Sequence, residues 1–479
     1  MIYTFQDFEK STDKATFLRV AINNHDQSDM VKIALDADTY AAQENSTIMR
    51  FVPTYYNLVG EKKVDLTKSN HHIACNFFDY LNSQRCNYSL GNGLQFEDEN
   101  VIDKLGDDFS TTLSQAGYYA LIHGESFLFW SGEKMYMFKI TEFVPLVDEE
   151  TSALRAGIRY WQLDKDHPQM AVLYEEDGYT IYKSETNRGT FNVYKDKRSY
   201  RVKVKKTQAD PEPEVIGEDN WGTLPIFPFW GTRKHKSTLV GMKGAIDAYD
   251  LGKSGFANSM DNLNELLTVI SNANGMDETD LLFVQRWLKT QGIISADEGS
   301  INTVNRTVDY AARQAFLAEL REGIFADFGG LDVHTIMAGG TNDHIAAAYE
   351  PLNAAADDFE DQITKAVRPF LKMIGIDESP SFKRRSIANE SQYNAMILQA
   401  ATYLNHETIL RKLTFIDNDE VKEILESIEK QEQEKFEQQI ALAQEQAKAS
   451  AGATPTDGEE VNTEETADES EDEEEEGDQ

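Results

Sequence analysis

The sequence predicts an α+β domain over residues 1–235 followed by a mainly helical remainder. Apolar side chains recur at three-to-four spacing before residue 123, alternate with a period of two between 127 and 195, and return to helical spacing after 236. The first pattern buries one stripe of a helix, and the second buries one face of a sheet.

Taken in order, residues 28–50 (SDMVKIALDADTYAAQENSTIMR) read as a helix, as do residues 69–88, which stop at the GNG of 91–93. A third helix follows near 100–123 and ends at His123-Gly124, a C-terminal signal. FLFW at 127–130, MYMFKI at 135–140, GIRYWQL at 157–163, MAVLY at 170–174, YTIYK at 179–183 and TFNVYK at 190–195 are short and rich in aromatic and β-branched residues. Gly, Asp and Pro separate them, so they predict one mostly antiparallel sheet. TQADPEPEVIGEDN at 207–220 reads as an exposed connection, and LPIFPFW at 224–230 as the segment closing the domain against its core.

Beyond residue 236, Ile246, Tyr249, Phe256, Met260, Leu263, Leu267 and Ile270 form one apolar stripe of a helix. Gly252 and Gly255 lie on or beside it; each costs about 1 kcal/mol relative to Ala, and small residues permit close helix approach. A second helix over 309–328 carries Phe316, Leu317, Leu320, Ile324 and Phe328. The insert between them is expected to hold a short helix (DLLFVQRWLK) and strands at GIIS and SINTVN. Residues 331–343 read as a loop around Gly339-Gly340, and a long helix from about 344 to 374 contains Pro351 and Pro369. Further helices follow over 387–449, and the small, acidic residues of 450–479 predict disorder.

The bulk numbers narrow the function classes. A chain of 479 residues suits roughly three domains. The net charge is −37, of which residues 457–479 supply fourteen acidic side chains and no basic ones, leaving −23 for the rest. Such a chain is poorly suited to tight DNA binding, which depends on neutralising phosphates, but suits a surface that DNA slides past. Two cysteines, Cys75 and Cys86, exclude a disulfide scaffold and suit a reducing compartment. On one helix they would be about 16 Å apart and could not bridge. No apolar run of membrane-spanning length occurs, and MIYTFQDFEKSTDK lacks a signal pattern. The chain is expected to stay in the cell that makes it.

Catalytic patterns are mostly missing. Gly252-Lys253-Ser254 supplies the end of a P-loop, but the first glycine would fall at Asp247 and the segment lies mid-helix. His71, His72, Cys75 and Cys86 lack the paired spacing of a zinc site, and a helix start with a half-buried cysteine is preferred. HExxH, GxSxG and EF-hand patterns do not occur. KDKRSYRVKVKK at 195–206 holds seven Lys or Arg against one Asp, with Arg201, Lys203 and Lys205 on one strand face. Together with Phe191, Tyr194 and Tyr200 it is a nucleic-acid candidate; a charge-protected edge strand is the preferred reading. No catalytic, cofactor or metal residue is assigned.

The order of segments resembles the portal (head-to-tail connector) proteins of long-tailed phages of Gram-positive bacteria. Four stretches carry the resemblance: NHHIACNFFDYLNSQRCNYSLGNGLQF at 70–96; ALIHGESFLFW at 120–130 with the strands after it; WGTLPIFPFWGTRKHKSTLVGMKGAIDAYDLGKSGFANSMDNLNE at 221–265, with its Asp247-Ala248-Tyr249 core; and NHETILRKLTFIDNDEVKEILESIEKQ at 405–431. The resemblance implies a portal fold in a closed ring of twelve. In that fold 1–235 is an α+β wing, 236–267 and 309–330 are stem helices, 268–308 is the clip and 331–345 the tunnel loop. Residues 346–376 are the long helix completing the wing, 377–450 the crown, and 451–479 the tail.

It further implies that Met337, Gly339, Gly340, Thr341 and Asn342 face the DNA channel and that Arg286, Lys289, Asp297 and Glu298 form the clip docking surface. Tyr249, Phe256, Met260, Leu263, Phe316, Leu320 and Ile324 would pack the stem. The implied partners are other copies of the chain, double-stranded DNA bound without sequence specificity, terminase, a head-completion adaptor, and scaffolding and major capsid proteins, with no membrane and no cofactor. The implied location is the portal vertex of the virion, after assembly in the host cytoplasm. Two alternatives stay open: a minor capsid or scaffolding protein, suggested by the acidic Gln/Glu-rich C-terminus, and a nucleotide-binding packaging enzyme.

Overall fold

The computed structural model describes residues 3–56, 60–66, 68–98, 100–186, 189–207, 210–262, 267–270, 301–304, 310–333 and 342–384. It also describes a few residues between 279 and 283 and between 397 and 440. The chain divides into two units, 1–386 and 387–479.

The first unit opens with α1 (Phe5–Lys10), α2 (Lys14–Asp26) and α3 (Asp29–Ala41), capped by Thr4, Asp13 and Ser28 side chains on the orphan amides of their first turns. The helix expected over 28–50 is broken: Gln43 adopts φ 59°, and Asn45 caps a separate short α4 (Ser46–Met49). The helix expected from residue 69 begins only at α5 (Phe77–Leu90), because residues 69–76 run along another helix. The single helix expected near 100–123 is α6 (Asn100–Leu105) and α7 (Phe109–His123), separated at Gly106 with φ +84°. Gly124 ends α7 at φ +95°, and a Cβ there would meet the Ser237 backbone nitrogen at 2.6 Å, so the turn needs glycine twice over.

The strands form two principal sheets where one was expected. β4 (Glu125–Trp130), β5 (Met135–Lys139) and β13 (Ile226–Trp230) make a three-stranded antiparallel sheet in the order β13-β4-β5. β6 (Phe143–Val147), β7 (Leu154–Trp161), β8 (Gln169–Glu175), β9 (Gly178–Ser184) and β10 (Asn192–Arg198) make a five-stranded meander. The chain changes sheet at the Lys139–Glu142 turn, and Phe127, Phe138 and Phe143 fill the junction, fully buried. Shorter pairings join β1 (Thr54–Tyr56) to β2 (Lys62–Val64), and β3 (Leu94–Gln95) to β16 (Ser381–Phe382).

The segment expected as an exposed connection is instead a strand. β12 (Asp210–Asp219) pairs antiparallel with β11 (Arg201–Thr207). Pro211 and Pro213 lack an N–H, which a strand with a single partner tolerates on its free side. β13, from the LPIFPFW segment, buries Phe227 and Phe229 in the core shared with the later long helix, so the unit continues past residue 235.

Two helical layers complete the unit. α1 and α2 lay Phe8, Phe17, Leu18 and Ile22 on the meander. On the other side α7 packs against the three-stranded sheet and against α10 (Asn342–Met373), which buries Phe359, Ile363, Val367 and Phe370. This long helix includes both Pro351 and Pro369 and begins at Asn342, inside the segment expected to be loop.

The stripe expected to continue one helix to Ile270 is also divided. α8 (Leu239–Asn262) ends first, and β14 (Leu267–Ile270) pairs with β15 (Ile301–Val304), so Leu267 and Ile270 belong to a strand. Thr268, Val269 and Ile270 are β-branched and stiff at χ1, which favours the extended form. α9 (Tyr310–Phe328) follows as expected. The helix at DLLFVQRWLK, apart from a few residues, and the strand at GIIS lie outside the described residues. In the second unit, α11 (His406–Lys412) is capped by Asn405, and Ile397, Leu413 and Val421 are buried. The acidic tail lies outside the described residues.

Candidate functional site

The helix pair α8–α9 carries all but one of the predicted stem-packing residues, and its two ends differ. At its foot, Leu239, Met242 and Ile246 of α8 join Ile324, Phe325 and Phe328 of α9 in one core with Ala37, Tyr40, Phe78 and Leu81. Midway, the helices approach at Gly252, where an added Cβ would lie 3.3 Å from Leu317 Cδ2. Further out, Phe256 and Tyr310 meet edge to face at 5.5 Å, and Arg313 donates to Ser259 Oγ at 2.7 Å.

Of the predicted packing residues, Tyr249 stands edge-on to Phe77 at 4.9 Å, Ile324 is fully buried and Leu320 is half-buried. Met260 and Phe316 remain 45% and 51% exposed, so this part of the pair presents apolar surface that no described residue covers. Leu263 lies outside the described residues, as do Arg286, Lys289, Asp297 and Glu298 and Met337, Gly339, Gly340 and Thr341. Asn342 opens α10.

Sequence reasoning missed the polar face of α8. Asp250 Oδ1 accepts the Cys75 N–H at 3.0 Å, Ser254 Oγ the Ile73 N–H at 2.9 Å, and Asn258 Oδ1 the His71 N–H at 2.7 Å. Every fourth helical residue thus serves every second residue of the strap 69–76. The match is geometric: four helical residues rise about 6.0 Å and two extended residues about 6.6 Å. His71 Nε2 adds a 2.5 Å contact to Asp261. Nearer the foot, Tyr40 donates to Asp247, and Lys243 pairs with Asp36. The recurrence of short polar acceptors at 250, 254 and 258 is visible in the sequence, but only the strap reveals what they bind.

This geometry also disposes of the enzyme-like motifs. Lys253 and Ser254 are engaged by the strap, with Lys253 Nζ 3.5 Å from Cys75 Sγ. His71 faces Asp261, while His72 faces the Phe51 carbonyl at 2.9 Å, so the imagined zinc ligands diverge. Burial, then the Asp250 charge, pushes the Cys75 thiol up to about 11, and burial pushes Cys86 up to about 11 as well. Neither is an activated thiolate. The basic strand divides between β10, exposed at the edge of the meander, and β11. Lys197 contacts Glu175 at 3.0 Å and also Asp177, and Arg201 lies 3.6 Å from Asp219, as a charge-protected edge would. Among the described residues no helix is long and apolar enough to cross a membrane.

Residues 21–435 match the family described as "Phage portal protein, SPP1 Gp6-like". The chain is 23% identical over 405 residues to the portal protein of Bacillus phage SPP1, covering 77% of this chain and 78% of that one. It is 21% identical over 442 residues to the portal protein of Clostridium phage phiCD119, covering 82% and 94%. A solved structure named "Neck of native GTA particle computed with C12 symmetry" is similar at TM-score 0.36 and 12% identity, over 70% of this chain and 87% of that one. The protein is a structural component of a bacteriophage virion, a portal, and not an enzyme. It belongs to the SPP1 Gp6-like phage portal family, whose two relatives here come from phages of Gram-positive hosts.

Proposed function

We propose that copies of this chain, twelve in the virion, close into a ring at one capsid vertex, through which double-stranded DNA enters during packaging and leaves at ejection. The family match over residues 21–435 carries this reading. The exposed Met260 and Phe316 on α8–α9 support it, because a head-to-tail contact repeated around a ring would cover them. In this reading α8 and α9 are the stem, 268–308 the clip and the tunnel loop lies within 331–345, up to the start of α10 at Asn342. The antiparallel β14–β15 ladder holds the two ends of the clip insert together. The clip, through Arg286, Lys289, Asp297 and Glu298, docks terminase and later the head-completion adaptor. Assembly takes place in the host cytoplasm with scaffolding and major capsid proteins.

The tunnel loop would approach DNA without gripping it, since Gly339, Gly340, Thr341 and Asn342 carry no charge and the chain is acidic overall. Native mass spectrometry with negative-stain imaging of the full-length protein tests the ring: a particle near twelve subunits with a central channel is expected. An elongated dimer under all assembly conditions contradicts it. Thr341→Lys with Asn342→Lys should stall packaging, and undiminished packaging would overturn the sliding-loop reading.

A further inference from the structure

A cleft of about 1030 Å³ opens where the turn over 232–238, the foot of α9 and the middle of α10 meet. Four cations line it, Arg85, Arg233, Lys234 and Lys236, against two carboxylates, Asp327 and Asp358. Arg233 Nε donates to Asp358 at 2.7 Å. Among the described residues Arg85, Lys234 and Lys236 form no ion pair.

Arg85 is the unusual member. It is 8% exposed, donates from Nη2 to the Phe328 carbonyl, and lies 4.5 Å over the Phe328 ring, while its Nε has no partner. Burial pushes its pKa down to about 10, opposed by the Asp358 charge. A guanidinium taken out of water with an unfilled donor, and facing a carboxylate that Arg233 already engages, is an incomplete arrangement. A carboxylate is the group whose two oxygens match its fork.

The geometry points to this cleft as a carboxylate-binding site at the subunit interface, filled by an Asp or Glu side chain of a second copy of this chain; it rests on the ring reading above. Two features select that occupant. A duplex carries one phosphate charge per about 1.7 Å of axis, so its dense row would press against Asp327 and Asp358 as well as the cations, and a rigid backbone cannot enter to reach Arg85. A single acidic side chain can, and the chain carries 83 acidic residues against 46 basic ones. In a head-to-tail ring one acidic side chain of each copy would meet the same cleft of the next copy at every interface.

The test compares full-length wild type with Lys234→Glu/Lys236→Glu, both at the exposed rim, and with Arg85→Gln, by sedimentation velocity between about 50 and 500 mM salt. Wild-type rings should loosen as salt rises. The rim double variant should dissociate at about tenfold higher protein concentration than wild type at low salt, with its thermal unfolding unchanged. Should Arg85→Gln fail to fold, the rim variant still decides. Rings of the rim variant as tight as wild type overturn the proposal. Unchanged rings with weakened binding of a short DNA duplex overturn it in favour of phosphate. A wild-type chain that forms no ring at any salt overturns the ring reading itself, a result distinct from both.

Discussion

The buried carboxylate of Asp250 accepts the backbone N–H of Cys75 at 3.0 Å, the innermost rung of the ladder that fastens the strap 69–76 to α8. The same side chain accepts from Asn45 Nδ2 at 2.9 Å, so one helical residue holds both the strap and the cap of α4. Burial raises its pKa, and these two hydrogen bonds oppose the rise.

Replacing Asp250 by Ala would strand two donors in the interior. The expected loss is about 2–4 kcal/mol, against about 1 kcal/mol for Ser254→Ala one rung out, where one donor is stranded instead of two. Urea unfolding of both variants measures the difference. Equal, small effects would show that the strap is held by other contacts.

Gly252 sets how closely α8 and α9 approach. Gly252→Ala gains about 1 kcal/mol of helix propensity while pressing on Leu317 Cδ2 at 3.3 Å, so the two effects nearly cancel. Gly252→Leu should cost about 1–3 kcal/mol by forcing the helices apart. Thermal unfolding checks both, and a harmless leucine would mean the pair is loosely packed.

In the meander, Gly157 faces the ring of Phe143, with an added Cβ only 2.0 Å from Cζ. Phe143 is fully buried and cannot swing away. Gly157→Ala should therefore cost about 3 kcal/mol, read as a lowered urea midpoint with an unchanged slope. Gly217, with nothing within 4 Å of its Cβ position, serves as the neutral control.

Glu125 supplies a pH dependence. Burial raises its carboxyl from 4.5 to about 7, with the Trp230 hydrogen bond opposing. The folded state therefore keeps this proton to higher pH than the unfolded chain. The associated stability is fully present below about pH 4.5 and is lost as the pH climbs through about 7. Relative to Glu125→Gln, wild type should lose on the order of 2 kcal/mol between about pH 5 and 8. Parallel pH profiles for the two proteins would assign the effect elsewhere.

Local signals located most elements. Gly124 and the GNG of 91–93 marked helix ends, the aromatic alternation marked β4 to β10, and the stripe through Ile246, Tyr249 and Phe256 marked α8. Three of the misreadings share one cause. The 28–50 helix broke at Asn45 because its amide is drawn to Asp250. Residues 69–76 left the helical form because α8 offers their amides a better-matched row of acceptors, and 210–219 became a strand because β11 lies beside it. In each the deciding partner is distant in sequence, and no local pattern reports it.

By itself the sequence determined the α+β-then-helical order, the apolar faces, the acidic balance and, through the colinear order of its segments, the portal family. Those properties are written in side-chain chemistry and spacing along the chain. Only the tertiary structure decided that the sheet is two sheets, that Asp250, Ser254 and Asn258 form a ladder, and that a buried Arg85 with an unfilled donor shares one cleft with Lys234 and Lys236. Hydrogen bonds and desolvation act between groups that folding brings together, so their pairing exists only once the chain has closed on itself.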